Sequence, residues 1–153
     1  MKKLIISIIL CVGVGAIAGY LTAGESSGEW FRNLQKPSFQ PPNWIFGPVW
    51  TTLYILMGIS LWKVWKKPNS RERNIAITIF FAQLLFNFLW SVLFFNWHAI
   101  GMALIDILIL WILILATIFS FAKHSKVAAW LLVPYISWVS FATILTYTIW
   151  KMN

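Results

Sequence analysis

The sequence is short of charge, and shortest of negative charge. Only 10% of its 153 residues are charged, and only four are acidic. A soluble domain carries about 25% charged residues, so a free-standing water-soluble unit is excluded. There is one cysteine, Cys11, and it lies inside an apolar stretch, so no intramolecular disulfide can form. Ile8-Ile9-Leu10 before it offers no small residue of the kind that precedes a lipid-modified cysteine. The two histidines, His98 and His124, fall at opposite ends of apolar stretches and cannot share a metal ion, so no metal site is expected. A haem-ligating His124 stays open beside the plainer reading of a solvated turn residue. No Ser-His-Asp set, glycine-rich phosphate loop or carboxylate pair stands out, and there is no repeat, heptad run or low-complexity tract. Alternating ten-residue segments, the mark of a membrane β-barrel, are also missing.

What the chain has instead is apolar length. Five stretches, 4–23, 44–65, 75–95, 100–122 and 127–150, approach or exceed the ~20 residues that cross a hydrocarbon core. Backbone groups at that depth must satisfy one another, which leaves helices. The expected fold is therefore all-α: a five-transmembrane-helix bundle and a single domain over 1–153. The first stretch, with Lys2-Lys3 ahead and Ala16-Ile17-Ala18 within, also fits a cleavable signal, but it is long enough to span. The net charge of +8 does not point to nucleic acid, because the basic residues sit at helix ends rather than along a face. Lys2, Lys3, Lys63, Lys66, Lys67, Arg71, Arg73, Lys123 and Lys126 fall on one side, and Arg32, Lys36 and Lys151 on the other. The positive-inside rule then places the N-terminus in the cytoplasm.

Connections at 66–73, 96–99 and 123–126 are short, which makes sequential helices antiparallel neighbours. The 24–43 connection is long and mixes polar residues with Trp30, Phe31 and Phe39, so it reads as an ordered lid over the outer mouth of the bundle. Pro134 lies inside the fifth stretch and should kink it or free a carbonyl. Gly15 and Gly19 form a small-xxx-small pair that serves either packing within one bundle or dimerisation.

Eleven tryptophans exceed an interfacial belt. Trp44, Trp62, Trp65, Trp97, Trp130 and Trp150 fit such a belt, whereas Trp50, Trp90 and Trp138 lie deeper. With ~1.5 Å of rise per residue, these three, Asn87 and Asp106 share one layer in the outer half of the membrane. Asp106 is the only acidic residue within a span. It is expected to be neutral or cavity-facing, as a ligand-binding group or as a structural carboxyl bonded to Asn87 or Gln83. Wide aromatic walls with few polar groups suit a planar apolar small molecule, with membrane lipid as the surrounding partner. Leu145, Tyr147 and Lys151 match a weak sterol-contact pattern, which ordinary interfacial anchors also produce.

One long run carries a resemblance: Trp30-Phe31, Leu34, Lys36-Pro37-Ser38-Phe39, Pro41-Pro42-Asn43-Trp44, Phe46-Gly47-Pro48-Val49-Trp50-Thr51, Leu53-Tyr54 and Met57-Gly58. Asn87 and Trp130-Leu131-Leu132-Val133-Pro134-Tyr135, Trp138 and Phe141-Ala142-Thr143 extend it over essentially the whole chain. These residues resemble the TspO/MBR family of tryptophan-rich sensory proteins and mitochondrial translocator (peripheral benzodiazepine receptor) proteins. The resemblance implies a five-helix bundle, usually a homodimer in a bacterial cell membrane for bacterial members, with an outer-half pocket closed by the first loop. It implies ligands such as protoporphyrin IX, sterols and benzodiazepine-like drugs, and no required cofactor. The matching pocket positions are Phe31, Trp50, Asn87, Trp90, Asp106, Trp138 and Ala142. Some relatives degrade porphyrin in light, and Trp50 and Trp138 would be the catalytic residues if that occurs here. The expectation is a membrane receptor or sensor for porphyrins; the alternatives are a light-dependent porphyrin-degrading enzyme or a tetrapyrrole or sterol transporter. Phe31 and Trp90 depart from the tyrosine and phenylalanine that some relatives carry.

Overall fold

The computed structural model describes residues 1–153. In chain order its helices are α1 (Lys2–Ser26), α2 (Glu29–Asn33), α3 (Asn43–Trp65), α4 (Arg71–Ser91), α5 (Ile100–Ala122), α6 (Lys126–Leu131) and α7 (Val133–Met152). A π-turn, Val92–Asn96, prolongs α4, and α6 with α7 makes one crossing in two pieces. There is no strand, and five helical crossings are long and apolar enough to span a membrane. The chain is an integral membrane protein built as a five-helix bundle.

Several helices outrun their apolar stretches. α1 begins at Lys2 and ends at Ser26, and α4 begins at Arg71 rather than Ile75. The added turns are polar and are held by local chemistry. Ser70 caps α4, its side chain accepting from the Arg73 amide at 3.1 Å. The Arg73 guanidinium donates to the carbonyls of Trp65 (3.0 Å) and Lys67 (2.9 Å). Those are carbonyls that the end of α3 cannot satisfy internally. Lys3 and Lys66 place their ammonium groups 5.2 Å and 4.1 Å from the Trp65 and Trp62 ring centres. This end of the bundle is called the basic end below, and the opposite one the lid end.

Around the bundle, α1 packs between α3 and α4, α5 packs between α4 and α7, and α3 closes the ring against α6. Two glycines set the α1–α3 distance. A Cβ on Gly58 would stand 2.6 Å from the Ile8 backbone, and one on Gly15 would stand 2.4 Å from the Tyr54 ring. The small residue at 15 is thus spent on contact inside the bundle, whereas a Cβ added at Gly19 would meet nothing within 4 Å.

Pro134 creates the remaining feature of the architecture. It occupies the first turn of α7, lacks an amide hydrogen, and sits just after the break at Leu132. Before the break α6 packs on α3, with Ser60 Oγ donating to the Ala128 carbonyl at 2.8 Å. After it, α3 and α7 diverge and aromatic side chains reach across: Phe46 to Trp138 at 5.9 Å and Trp50 to Tyr135 at 6.4 Å between ring centres. The core is divided accordingly. One apolar cluster, with Met57, Phe80, Leu110 and Val139, fills the basic half. A smaller one, with Phe31, Phe94 and Ile149, lies under the lid.

Candidate ligand cavity

Between the two clusters lies a cavity of about 510 Å³ lined from α1, α3, the α4 π-turn, α5, α7 and the lid. Its floor is a buried polar chain. The Tyr54 hydroxyl donates to Asn87 Oδ1. Asn87 Nδ2 donates to the Tyr135 hydroxyl oxygen at 2.8 Å, and Tyr135 donates to Gln83 Oε1 at 2.7 Å. Gln83 Nε2 ends the chain 3.9 Å from the Met57 sulfur. Every link joins two different helices, so the chain ties α3, α4 and α7 together where α3 and α7 have parted. Tyr54 and Asn87 face the cavity, and Tyr135 and Gln83 stand behind them.

The walls are aromatic. Trp50 tilts onto Tyr54 at 5.8 Å, and Trp138 packs on Phe46 and, at 5.5 Å, on Phe141. Trp90 stacks on Phe94 at 5.1 Å and meets Phe95 edge-on at 5.9 Å. The π-turn makes this arrangement. With Trp97 N bonded to the Val92 carbonyl at 3.0 Å, it brings the consecutive Phe94 and Phe95 both to the cavity. The indole N–H groups of Trp90 and Trp138 are buried and meet no protein acceptor. No charged residue and no histidine lines the cavity.

The lid forms the roof. Phe31 is 6% exposed and packs 5.5 Å from Phe95 and 6.4 Å from Phe94. Burying such a ring contributes about 1.5–3 kcal/mol. Lys36 fixes the lid's own turn, donating to the carbonyls of Phe31 (2.6 Å) and Leu34 (3.1 Å). Asn153 takes the Gln35 amide at 3.2 Å and returns a bond to the Gln35 carbonyl at 2.9 Å. On the other side Trp30 stacks on His98 at 3.9 Å, and His98 Nε2 lies 3.1 Å from Glu25. His98 holds the left-handed conformation, φ 53°, in the turn before α5.

Of the residues singled out in the sequence, Phe31, Trp50, Asn87, Trp90, Trp138 and Ala142 all line this cavity. Asp106 does not. It is 4% exposed on α5, one position before the lining residue Ile107, and its Oδ2 has no partner. Asn87 and Gln83, its expected partners, are taken by the tyrosines. Leu145 lines the cavity, while Tyr147 and Lys151 are exposed on the other side of α7, so the structure does not bring these three onto one surface. Tyr54, Tyr135 and the π-turn phenylalanines were not among the site candidates. Two tyrosines and a glutamine at the depth of Asn87 were the available signal, because polar groups there have only one another to bond.

Comparison of the sequence with known proteins matches it to a family. The TspO/MBR family model covers residues 7–151. The chain is 42% identical to the tryptophan-rich protein TspO of Chlorobaculum tepidum, across 100% of this chain and 99% of that one. It is 41% identical to the protein of the same name in Archaeoglobus fulgidus, across 99% and 97%. With the translocator protein of Bos taurus the identity is 37%, across 90% and 85%.

Proposed function

The chain belongs to the TspO/MBR family, and from that premise we propose that it is a membrane receptor or sensor whose ligand is a planar, largely apolar molecule of the porphyrin class. The observation that carries the reading is the cavity itself. Its volume of about 510 Å³ sits within the ~300–1,000 Å³ of small-molecule sites. Trp50, Trp90 and Trp138 offer flat faces, each contributing on the order of 1 kcal/mol by stacking beyond area burial. The unpaired N–H groups of Trp90 and Trp138 and the amide of Asn87 supply the few polar contacts that would orient a ring carrying acceptor groups.

The test is titration of the purified chain with protoporphyrin IX in darkness, read by quenching of tryptophan emission. Saturable quenching that weakens a few-fold in Trp50→Phe and Trp138→Phe is expected. Parent-like binding by the double variant would remove both tryptophans from the site. A second reading, light-dependent degradation of the bound porphyrin, has one observation in its favour: Trp50 lies against both Tyr54 and Tyr135, a cluster of oxidisable rings at the cavity wall. Under light and oxygen, this reading requires that loss of porphyrin absorbance nearly vanish in the double Phe variant. Persistence at the parent's rate assigns the chemistry to free porphyrin and leaves a passive binder.

A further inference from the structure

The cavity has a side that faces out of the bundle. Most of its lining is buried or half-buried, but Ala16 and Gly19 on α1, Ser27 just after it, and Asn43, Gly47 and Thr51 on α3 are exposed. The three α3 positions recur every fourth residue and so form one row along the helix, and the α1 pair forms the facing row. By the ~1.5 Å rise of a helix, the α3 row reaches about 12 Å below the lid end of the span. That is hydrocarbon depth, not aqueous surface.

The seam between α1 and α3 opens abruptly. It is shut at Ile8–Gly58 and again at Gly15–Tyr54, where an added Cβ would collide. One turn further toward the lid, at Gly19, and at Gly47 opposite, an added Cβ would meet nothing within 4 Å. The roof, by contrast, is fastened at both ends, by the paired amides of Gln35 and Asn153 and by Trp30 on the His98–Glu25 pair. No charge guards the open side, since the lining carries none.

We propose that ligand reaches the cavity sideways from the bilayer, through the cleft between α1 and α3, while the lid stays closed. The inference rests on the reading that the cavity binds a planar apolar molecule, and it adds what kind. The ligand is one that first dissolves in the membrane and crosses the rim uncharged. Gly19 and Gly47 are the sill of this opening, kept free of side chains so that a flat molecule can slide between two helices. Neutral polar groups, Ser27 and Asn43, stand at its lid-end corner, where the polar edge of a membrane-dissolved amphiphile would ride.

The test uses the full chain in lipid nanodiscs with protoporphyrin IX dimethyl ester as the probe, and stopped-flow quenching of tryptophan emission. Gly19→Leu and Gly47→Leu each add a side chain into open space, so the bundle keeps its fold; a parent-like melting curve verifies this. In the double variant, association and dissociation should both slow at least fivefold and in step, because an obstructed passage delays both directions. Asn153→Ala, which unfastens one end of the lid, should leave both rates within twofold of the parent. Unchanged rates in the glycine variants overturn the portal. So does slower association without slower dissociation, which would make the glycines part of the ligand's seat. Faster exchange in Asn153→Ala overturns it too, since the lid would then be the route. Absence of saturable quenching in the parent removes the ligand reading itself, and the portal with it.

Discussion

Tyr135→Phe isolates what the buried polar chain contributes. The substitution keeps the ring against Trp50 and removes one oxygen that accepts from Asn87 at 2.8 Å and donates to Gln83 at 2.7 Å. Two buried groups lose their partner at once. Gln83 is 1% exposed and Asn87 4%, so neither can turn to water. An unsatisfied buried group costs about 1–3 kcal/mol, although polar pairs between membrane helices average only ~0.6 kcal/mol, because the alternative state also finds partners. Two groups at the lower end of the first range give about 2 kcal/mol. At roughly 2–4 °C per kcal/mol for a chain of this size, the apparent Tm should fall by about 4–8 °C. Tyr54→Phe removes a single bond and frees a single oxygen, that of Asn87. Its fall should be no more than half as large. The assay is thermal unfolding in detergent followed by tryptophan emission, with Gln83→Leu added as a third variant. Tyr135→Phe in the Gln83→Leu background should cost clearly less than in the parent, because one orphan has been removed beforehand. Equal costs in both backgrounds, or a larger fall for Tyr54→Phe, would refute a chain that depends on Tyr135 as its centre.

Other outcomes follow from single observations. Gly58→Ala drives a Cβ to 2.6 Å from the Ile8 backbone and should lower the apparent Tm by several degrees. Gly13→Ala, which meets nothing within 4 Å, should raise it slightly, as removing a mid-helix glycine is worth roughly 0.5–1 kcal/mol; equal behaviour of the two would contradict the close approach of α1 and α3. Asp106→Asn removes a carboxylate whose Oδ2 has no partner and should leave stability level or improved in the same melts, whereas a fall beyond ~5 °C would reveal an ionised, paired group whose loss is costly. In a Cys11→Ser background, an impermeant thiol reagent on intact cells should label a cysteine placed at exposed Ser27 and not one placed at exposed Asn69; the reverse pattern inverts the orientation that the charge asymmetry favours.

Apolar length made the helices legible, because a span must satisfy its backbone over a fixed thickness and no competing structure can. The same signal misplaces helix ends. Arg71-Glu72-Arg73 is polar and falls in the expected 66–73 connection, yet it is helical, and the information lies in the Ser70 cap rather than in hydropathy. The short helix Glu29–Asn33 went unread for a similar reason: five residues carry no periodicity. The π-turn has no residue signature at all, since Val92–Asn96 is ordinary helix sequence. In the site, the three tryptophans too deep for a belt line one cavity from three helices. Depth alone failed for Asp106, because a layer fixes height and not azimuth. The residue shares the tryptophans' height but lies on α5 beside, not within, the lining. Tyr54 and Tyr135 escaped because a tyrosine is unremarkable by type, and only its partner gives it meaning.

The cavity also bears on what the protein holds at rest. A void in a packed core costs about 24 cal/mol per Å³. The rate belongs to closed voids, and this cavity is not closed, since Gly19 and Gly47 in its lining are exposed. Whatever is soluble in the bilayer can fill the space from the side, through the open seam beside them. On the lateral route proposed above, binding of a ligand would be exchange with lipid chains. Part of the hydrophobic gain is already realised before ligand arrives. What remains to distinguish one occupant from another is the flatness of the tryptophan faces and the few hydrogen bonds offered by Asn87, Trp90 and Trp138, which a saturated acyl chain cannot use and an aromatic macrocycle with acceptor atoms can.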